Sequence, residues 1–156
     1  MPRVVRQAAV AWEGSLSRGT GTATATSSGT FELPIDLPSR ISDKPGKTSP
    51  EELLAAAHAG CYSTSLAGEI ARAGGTVERL DVSCTITLDE VEGKGHLIVS
   101  SQLDVRARAE GIDQAGLEQV ARKADEGCTF SALIRASASV SVHAELAELG
   151  GDRNGS

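Results

Sequence analysis

SPEELLAAAHAGCYSTSLAGEIARA, residues 49–73, is the stretch on which the fold turns. Ser49 is placed to cap a helix, Pro50 suits its first position, and Glu52 completes an S-x-x-E capping box. Glu51 and Glu52 add negative charge where the helix dipole is positive. Gly74-Gly75 supplies the stop. Between these signals the segment is apolar almost all round, and its polar residues are small. A helix of that kind is buried on most of its sides, which predicts a central helix covered by other elements.

The covering elements lie on both sides. Before the helix, residues 3–13 read as a first strand. Residues 19–33 (GTGTATATSSGTFEL) alternate Thr with Ala and turn at Ser28-Gly29, which predicts a hairpin. Residues 34–49 hold three prolines and read as a long loop of the kind that carries function. After the helix, apolar residues occupy the even positions from Leu80 to Leu88 and odd positions between Leu97 and Ala109, so two strands are predicted. Glu92-Gly93-Lys94-Gly95 joins them. Asp113 is a good cap for a second helix bearing Leu117, Val120, Ala121 and Ala124 at helical spacing. A short helix over 129–135 and a last strand over 138–146 follow. The pattern is α+β, antiparallel sheet around a buried helix. A single domain is expected over 1–147, with a disordered tail over 148–156.

The 156 residues are 40% hydrophobic and 23% charged, ordinary values for a globular chain. Aromatics are only 3%, so the core must be built from Ala, Val, Leu and Ile. Small side chains bury less area each, and dimerisation is expected to supply part of the missing burial. The net charge is −6 with scattered Lys and Arg, which argues against a nucleic-acid partner. Neither a membrane-spanning run nor a signal-peptide pattern is present, so a cytoplasmic protein without membrane attachment is expected.

In a reducing compartment the 3 cysteines read as catalytic or buried rather than as a structural framework. Cys84 lies mid-strand between Val82 and Ile86, where a free cysteine packs as a small hydrophobe. Cys61 lies inside the central helix, with Ala57, Gly60 and Ser65 leaving space around its sulfur and His58 one turn away. It reads either as a core residue or as a nucleophile whose thiolate needs a nearby cation. Cys128 follows Gly127 at the start of the short helix, where unpaired N–H groups favour an anionic sulfur. Cys61 and Cys128 fit a transient disulfide, although both also fit plain packing. No C-x-x-C occurs, the histidines lack a metal-ligand spacing, and no phosphate loop is evident. No metal or cofactor is therefore expected.

The runs TSPEELLAAAHAGCYSTSL and GCTFSALIRAS, with WEGSLSRGTGT and PSRISDKPGKTSPEE before them, resemble the family of osmotically inducible protein C and organic hydroperoxide resistance protein (OsmC/Ohr), its OsmC branch in particular. The likeness spans about residues 8–146. It implies an intertwined homodimer with antiparallel sheets wrapped around long central helices and two sites at the subunit interface. It further implies a cysteine peroxidase that reduces organic hydroperoxides in oxidative and osmotic stress defence. By position Cys61 matches the attacking cysteine, Cys128 the resolving one, Glu51 the glutamate after proline and Arg40 the arginine. Arg18, in the first hairpin, is the fallback for that arginine. An external dithiol (a lipoyl protein or a thioredoxin-like one) is the implied reductant, and an Ala/Leu-lined pocket is expected to favour alkyl hydroperoxides. Two departures stand out. Ser49 replaces the family's common Asn before Pro-Glu, and Thr129 replaces the common proline after the second cysteine, which leaves that segment an extra N–H and more backbone freedom.

One consequence follows from helix geometry. Glu51 and Cys61 are ten residues apart on one predicted helix, about 15 Å along its axis. An arginine held by Glu51 can hardly reach Cys61 of the same straight helix. Either the helix starts later, or Glu51 serves the Cys61 of a partner subunit, which is the expectation adopted. The competing reading is a non-catalytic protein that binds a small ligand in the apolar dimer-interface pocket, its cysteines idle.

Overall fold

The computed structural model describes residues 2–149. The chain divides into two compact units, residues 1–53 and 54–156. The tail expected over 148–156 falls, from residue 150 onward, outside the described residues.

In the first unit, strands β1 (Ala9–Glu13), β2 (Thr20–Thr24) and β3 (Glu32–Ile35) form an antiparallel sheet in that order. β1 is shorter than the predicted first strand and exposed along its whole length. Gly21 lies under the Trp12 ring, where a Cβ would come within 2.9 Å of both Trp12 and Ile35. Only glycine admits that approach. The loop expected over 34–49 contains a short helix instead, α1 (Leu37–Ile41). Asp36 caps it by accepting a 2.7 Å hydrogen bond from the Ser39 amide, and Pro38 occupies its first turn. Its last turn carries Arg40.

The long helix forms as its signals predict. α2 runs without interruption over Pro50–Arg72. Ser49 Oγ accepts from the Glu52 amide at 3.1 Å. Gly74 adopts a left-handed φ of 87° as the helix ends, and the Gly75 amide closes on Ile70 O at 2.9 Å. Its burial departs from expectation. A single stripe, His58, Tyr62, Leu66 and Ile70, is buried, while Glu52, Ala56, Gly60 and Thr64 are exposed. One copy of the chain does not cover this helix on most sides.

In the second unit the even positions of β4 (Thr76–Val91) are half-buried from Leu80 to Leu88 and the odd ones exposed, as the alternation predicts. β5 (Gly95–Glu110) pairs antiparallel with it and buries Ser101, Leu103, Val105, Ala107 and Ala109. α3 (Gln114–Gly127) starts at Asp113, which accepts from the Gly116 amide at 2.7 Å, and α4 (Thr129–Arg135) follows directly. β6 (Ser139–Leu146) then pairs with β5 in parallel, not antiparallel as expected. The crossover through α3 and α4 is long enough to return the chain in the same direction. Tyr62, Leu66 and Ile70 of α2 pack with Leu103 and Val105 of β5 and with Leu117, Val120 and Ala124 of α3. Two hydrogen bonds fix α2 to α3: Tyr62 donates to Ala121 O at 3.0 Å and Ser65 to Ala124 O at 2.9 Å. The phenol, buried in this core, has its pKa raised by desolvation, so it stays a donor.

Candidate active site

Cys61 and Cys128, 67 positions apart in sequence, are brought together. Their sulfurs are 3.4 Å apart, both as free thiols. The folding signals that do this are local. The α2 stripe fixes the azimuth of Cys61, one position before Tyr62. Gly127 ends α3, and the thiol of Cys128 caps α4 by accepting from the Ser131 amide at 3.5 Å. Cys128 is buried and Cys61 half-buried, so the attacking candidate is the more accessible of the two.

The surroundings of Cys61 bear on its protonation. Burial by itself pushes the thiol up. Hydrogen bonds from the Thr129 hydroxyl, the Phe130 amide, the Cys128 thiol and the Thr129 amide outweigh that and bring it below the ordinary cysteine value. The Thr129 hydroxyl stands 3.6 Å from the sulfur. The residue that departs from the family's proline thus places a side-chain hydroxyl beside the Cys61 sulfur. The sequence showed the substitution and the extra N–H, but not the reach of the hydroxyl.

Cys84 is different. Its sulfur is half-buried against the core, and desolvation raises its pKa despite a 3.2 Å contact with Ser101 Oγ. A thiol kept protonated in this way suits packing, as expected of it.

Arg40 and Glu51 meet within the first unit. The Arg40 Nε and a terminal guanidinium nitrogen both engage Glu51 Oε1, at 2.8 and 2.7 Å. Glu51 is the more enclosed, its side chain 15% exposed against 44% for the arginine, and its Oε2 is buried without a hydrogen-bond partner among the described residues. Arg18, the fallback, sits in the turn between β1 and β2, and it is Arg40 that pairs with Glu51. Beside Arg40 is a cleft of about 120 Å³ lined by Trp12, Leu16, Ile35, Leu37 and Pro50. Leu16 and Leu37 supply the leucines expected of such a pocket, while Trp12, Ile35 and Pro50 stand where alanines were expected.

Sequence reasoning missed one cluster. His58 is fully buried, with Nδ1 2.6 Å from Ser101 Oγ and Nε2 2.8 Å from Ser131 Oγ. A signal was present, because Ser101 interrupts the apolar positions Val99, Leu103 and Val105 on the inward face of β5. A polar residue there requires a partner.

Comparison with known proteins gives a consistent picture. Residues 42–143 match the family model described as OsmC-like protein. The chain is 34% identical to peroxiredoxin OsmC of Escherichia coli (strain K12) over 125 residues, 80% of this chain and 86% of that protein. Among solved structures it resembles an organic hydroperoxide resistance protein OsmC from Legionella pneumophila at a TM-score of 0.70 and 22% identity, covering 92% of this chain and 99% of that one. It resembles OhrB of Bacillus subtilis at 0.69 and 22% identity, covering 89% and 98%. An OsmC-like protein of unknown function from Vibrio cholerae aligns at 0.74 with 16% identity, covering 92% and 100%. The names of these relatives favour a peroxidase or redox role. No helix among the described residues is long and apolar enough to cross a membrane.

Proposed function

The chain belongs to the OsmC-like protein family, and from that premise we propose that it is a cytoplasmic thiol peroxidase that reduces organic hydroperoxides as a homodimer. The observation that carries this reading is the Cys61–Cys128 pair, two free thiols 3.4 Å apart with hydrogen-bond donors on the Cys61 sulfur. Cys61, as thiolate, attacks the distal peroxide oxygen. The O–O bond breaks, the alkoxide takes a proton and leaves as the alcohol, and Cys61 becomes a sulfenic acid. Cys128 then attacks the Cys61 sulfur, its proton and the sulfenic hydroxyl leave as water, and the disulfide closes. An external dithiol, oxidised in exchange, restores both thiols.

Arg40 is assigned to the peroxide and the thiolate, its planar fork suiting both, and Glu51 to holding that fork. α2 starts at Pro50, so a later helix start no longer accounts for the ten-residue separation of Glu51 from Cys61. Arg40 and Glu51 therefore serve the Cys61 of the partner subunit. Three observations support a second copy. α2 buries one stripe only. Val10, Trp12, Leu16 and Ile41 are all exposed. And, among the described residues, Glu51 Oε2 is an enclosed acceptor without a donor. The apolar cleft beside Arg40 suits the organic part of an alkyl hydroperoxide better than hydrogen peroxide.

Consumption of cumene hydroperoxide with a dithiol reductant tests the proposal. Turnover lost in Cys61→Ser and kept in Cys84→Ser supports it. Equal rates in both variants and wild type, or no turnover in wild type, return the chain to ligand binding without catalysis.

A further inference from the structure

Three of the four buried polar residues among the described residues (His58, Ser101 and Ser131) belong to one hydrogen-bonded cluster, and nothing in the peroxidase chemistry uses them. His58 stands at its centre, on the buried stripe of α2. Its Nδ1 contacts Ser101 of β5 at 2.6 Å and its Nε2 contacts Ser131 of α4 at 2.8 Å. Cys84 closes the β-sheet end, 3.2 Å from Ser101 Oγ and 3.8 Å from His58 Nδ1. The other end leads to the thiols. The amide of Ser131 donates to Cys128 Sγ, and Cys128 Sγ lies against Cys61 Sγ.

Resting on the reading of Cys128 as the resolving thiol, we infer that His58 is a positioning residue for disulfide closure: through Ser131 it locks the first turn of α4 so that the Cys128 sulfur is held against Cys61. Cys128 is followed by Thr129 rather than a ring-locked proline, so the backbone at the start of α4 has freedom to lose when the disulfide closes. A neutral imidazole has one donor and one acceptor nitrogen, and each here has a hydroxyl that can take either role. The cluster is thus fully satisfied in a dry environment, where such networks hold geometry tightly. The helix α2, which carries the ring, and the sheet strand β5 are both joined to α4 through this one imidazole. Burial lowers the pKa of His58, an effect that outweighs the charge of Asp125 and keeps the ring in the neutral form the cluster needs.

The experiment separates the two chemical steps in single turnover. Cys61 sulfenic acid is trapped with a dimedone-type reagent at rising cumene hydroperoxide, and disulfide appearance is followed by rapid quench and mass spectrometry. Three variants of the intact protein are compared. Ser131→Ala removes the contact to α4, His58→Asn keeps a group at the Nδ1 position only, and His58→Gln keeps one at the Nε2 position. Ser131→Ala and His58→Asn are expected to close the disulfide about tenfold more slowly, with sulfenic acid formed within about twofold of the wild-type rate. His58→Gln is expected to recover most of the closure rate, which a merely structural role does not predict. Wild-type closure in Ser131→Ala overturns the inference, as does equal slowing by His58→Asn and His58→Gln, or slowing of both steps alike. If wild type itself yields no sulfenic acid, the peroxidase reading has failed instead, and that result is distinct from all of these.

Discussion

The sulfur pair of the second unit and the ion pair of the first differ in how much of their environment one chain supplies. Cys61 and Cys128 sit 3.4 Å apart with donors from Thr129 and Phe130 around the Cys61 sulfur. Arg40 and Glu51 are joined just as closely, yet the arginine is half-exposed, one glutamate oxygen lacks a partner among the described residues, and the neighbouring sheet leaves Val10 and Trp12 in the open. A group whose packing is complete within one chain can be assigned from that chain alone. A charged pair left part-covered beside exposed apolar residues points to a second surface. The chemistry proposed above needs both pairs, and its homodimer is the part of the proposal that this comparison puts to the test.

The largest expected effect separates the thiols from everything else. Cys61→Ser should lower peroxide turnover by at least about a thousandfold, because Cys128 is buried and burial keeps the Cys84 thiol protonated, leaving neither suited to attack the peroxide. Cys128→Ser should consume one equivalent of peroxide per Cys61 and then stop, with trappable sulfenic acid as the readout. Next comes the ion pair. Arg40→Ala should reduce kcat/KM by about a hundredfold, and Glu51→Gln by about tenfold, since the glutamate acts through the arginine. Mixing impaired Arg40→Ala chains with Cys61→Ser chains should raise activity well above that of either variant after subunit exchange. Such hybrids contain one site with Cys61 from one chain and Arg40 from the other. No recovery in verified hybrids would break the comparison, because it would place both pairs in one chain's own site.

A smaller effect belongs to the Thr129 hydroxyl. Thr129→Val removes a donor that lowers the Cys61 pKa, so thiolate is lost at neutral pH and the rate–pH curve moves to higher pH. The rate at pH 7 should fall about threefold to tenfold and return to wild type at alkaline pH, where both proteins are fully ionised. The smallest effect is on stability. Burial holds the folded-state pKa of His58 below the ordinary histidine value of 6.5. The folded protein thus binds fewer protons than the unfolded chain, and stability is full above pH 6.5 and falls as the pH drops through that value. Denaturant midpoints measured from pH 8 to pH 5 should show the decline, and His58→Gln should flatten it.

Much of the fold was legible because its signals are local. The Ser49-Pro50-Glu51-Glu52 start of α2, the Asp113 cap of α3 and the alternation in β4 each reappear as hydrogen bonds or burial patterns. What was not legible depends on pairing across the chain. Strand patterning carries no direction, so the parallel β5–β6 pair could not be read from Val140, Val142 and Ala144 alone. α1 was hidden among prolines, although Asp36 two residues before Pro38 is a cap signal. Of the site, Cys61 and Cys128 are singled out by their local settings, while their roles and the choice of Arg40 and Glu51 come from the resemblance; the structure holds the four as two separate pairs. The Thr129 contact and the His58 cluster escaped because they join residues 68 and 73 positions apart, beyond any periodicity.

The central claim is that Cys61 and Cys128 are a working redox pair. The most direct measurement is peptide mapping after one equivalent of cumene hydroperoxide is added to the reduced protein without reductant. The account predicts a Cys61–Cys128 disulfide formed within the chain, reversed by a dithiol, with Cys84 still alkylatable. Cys61 and Cys128 recovered as unmodified thiols while the peroxide persists would contradict it.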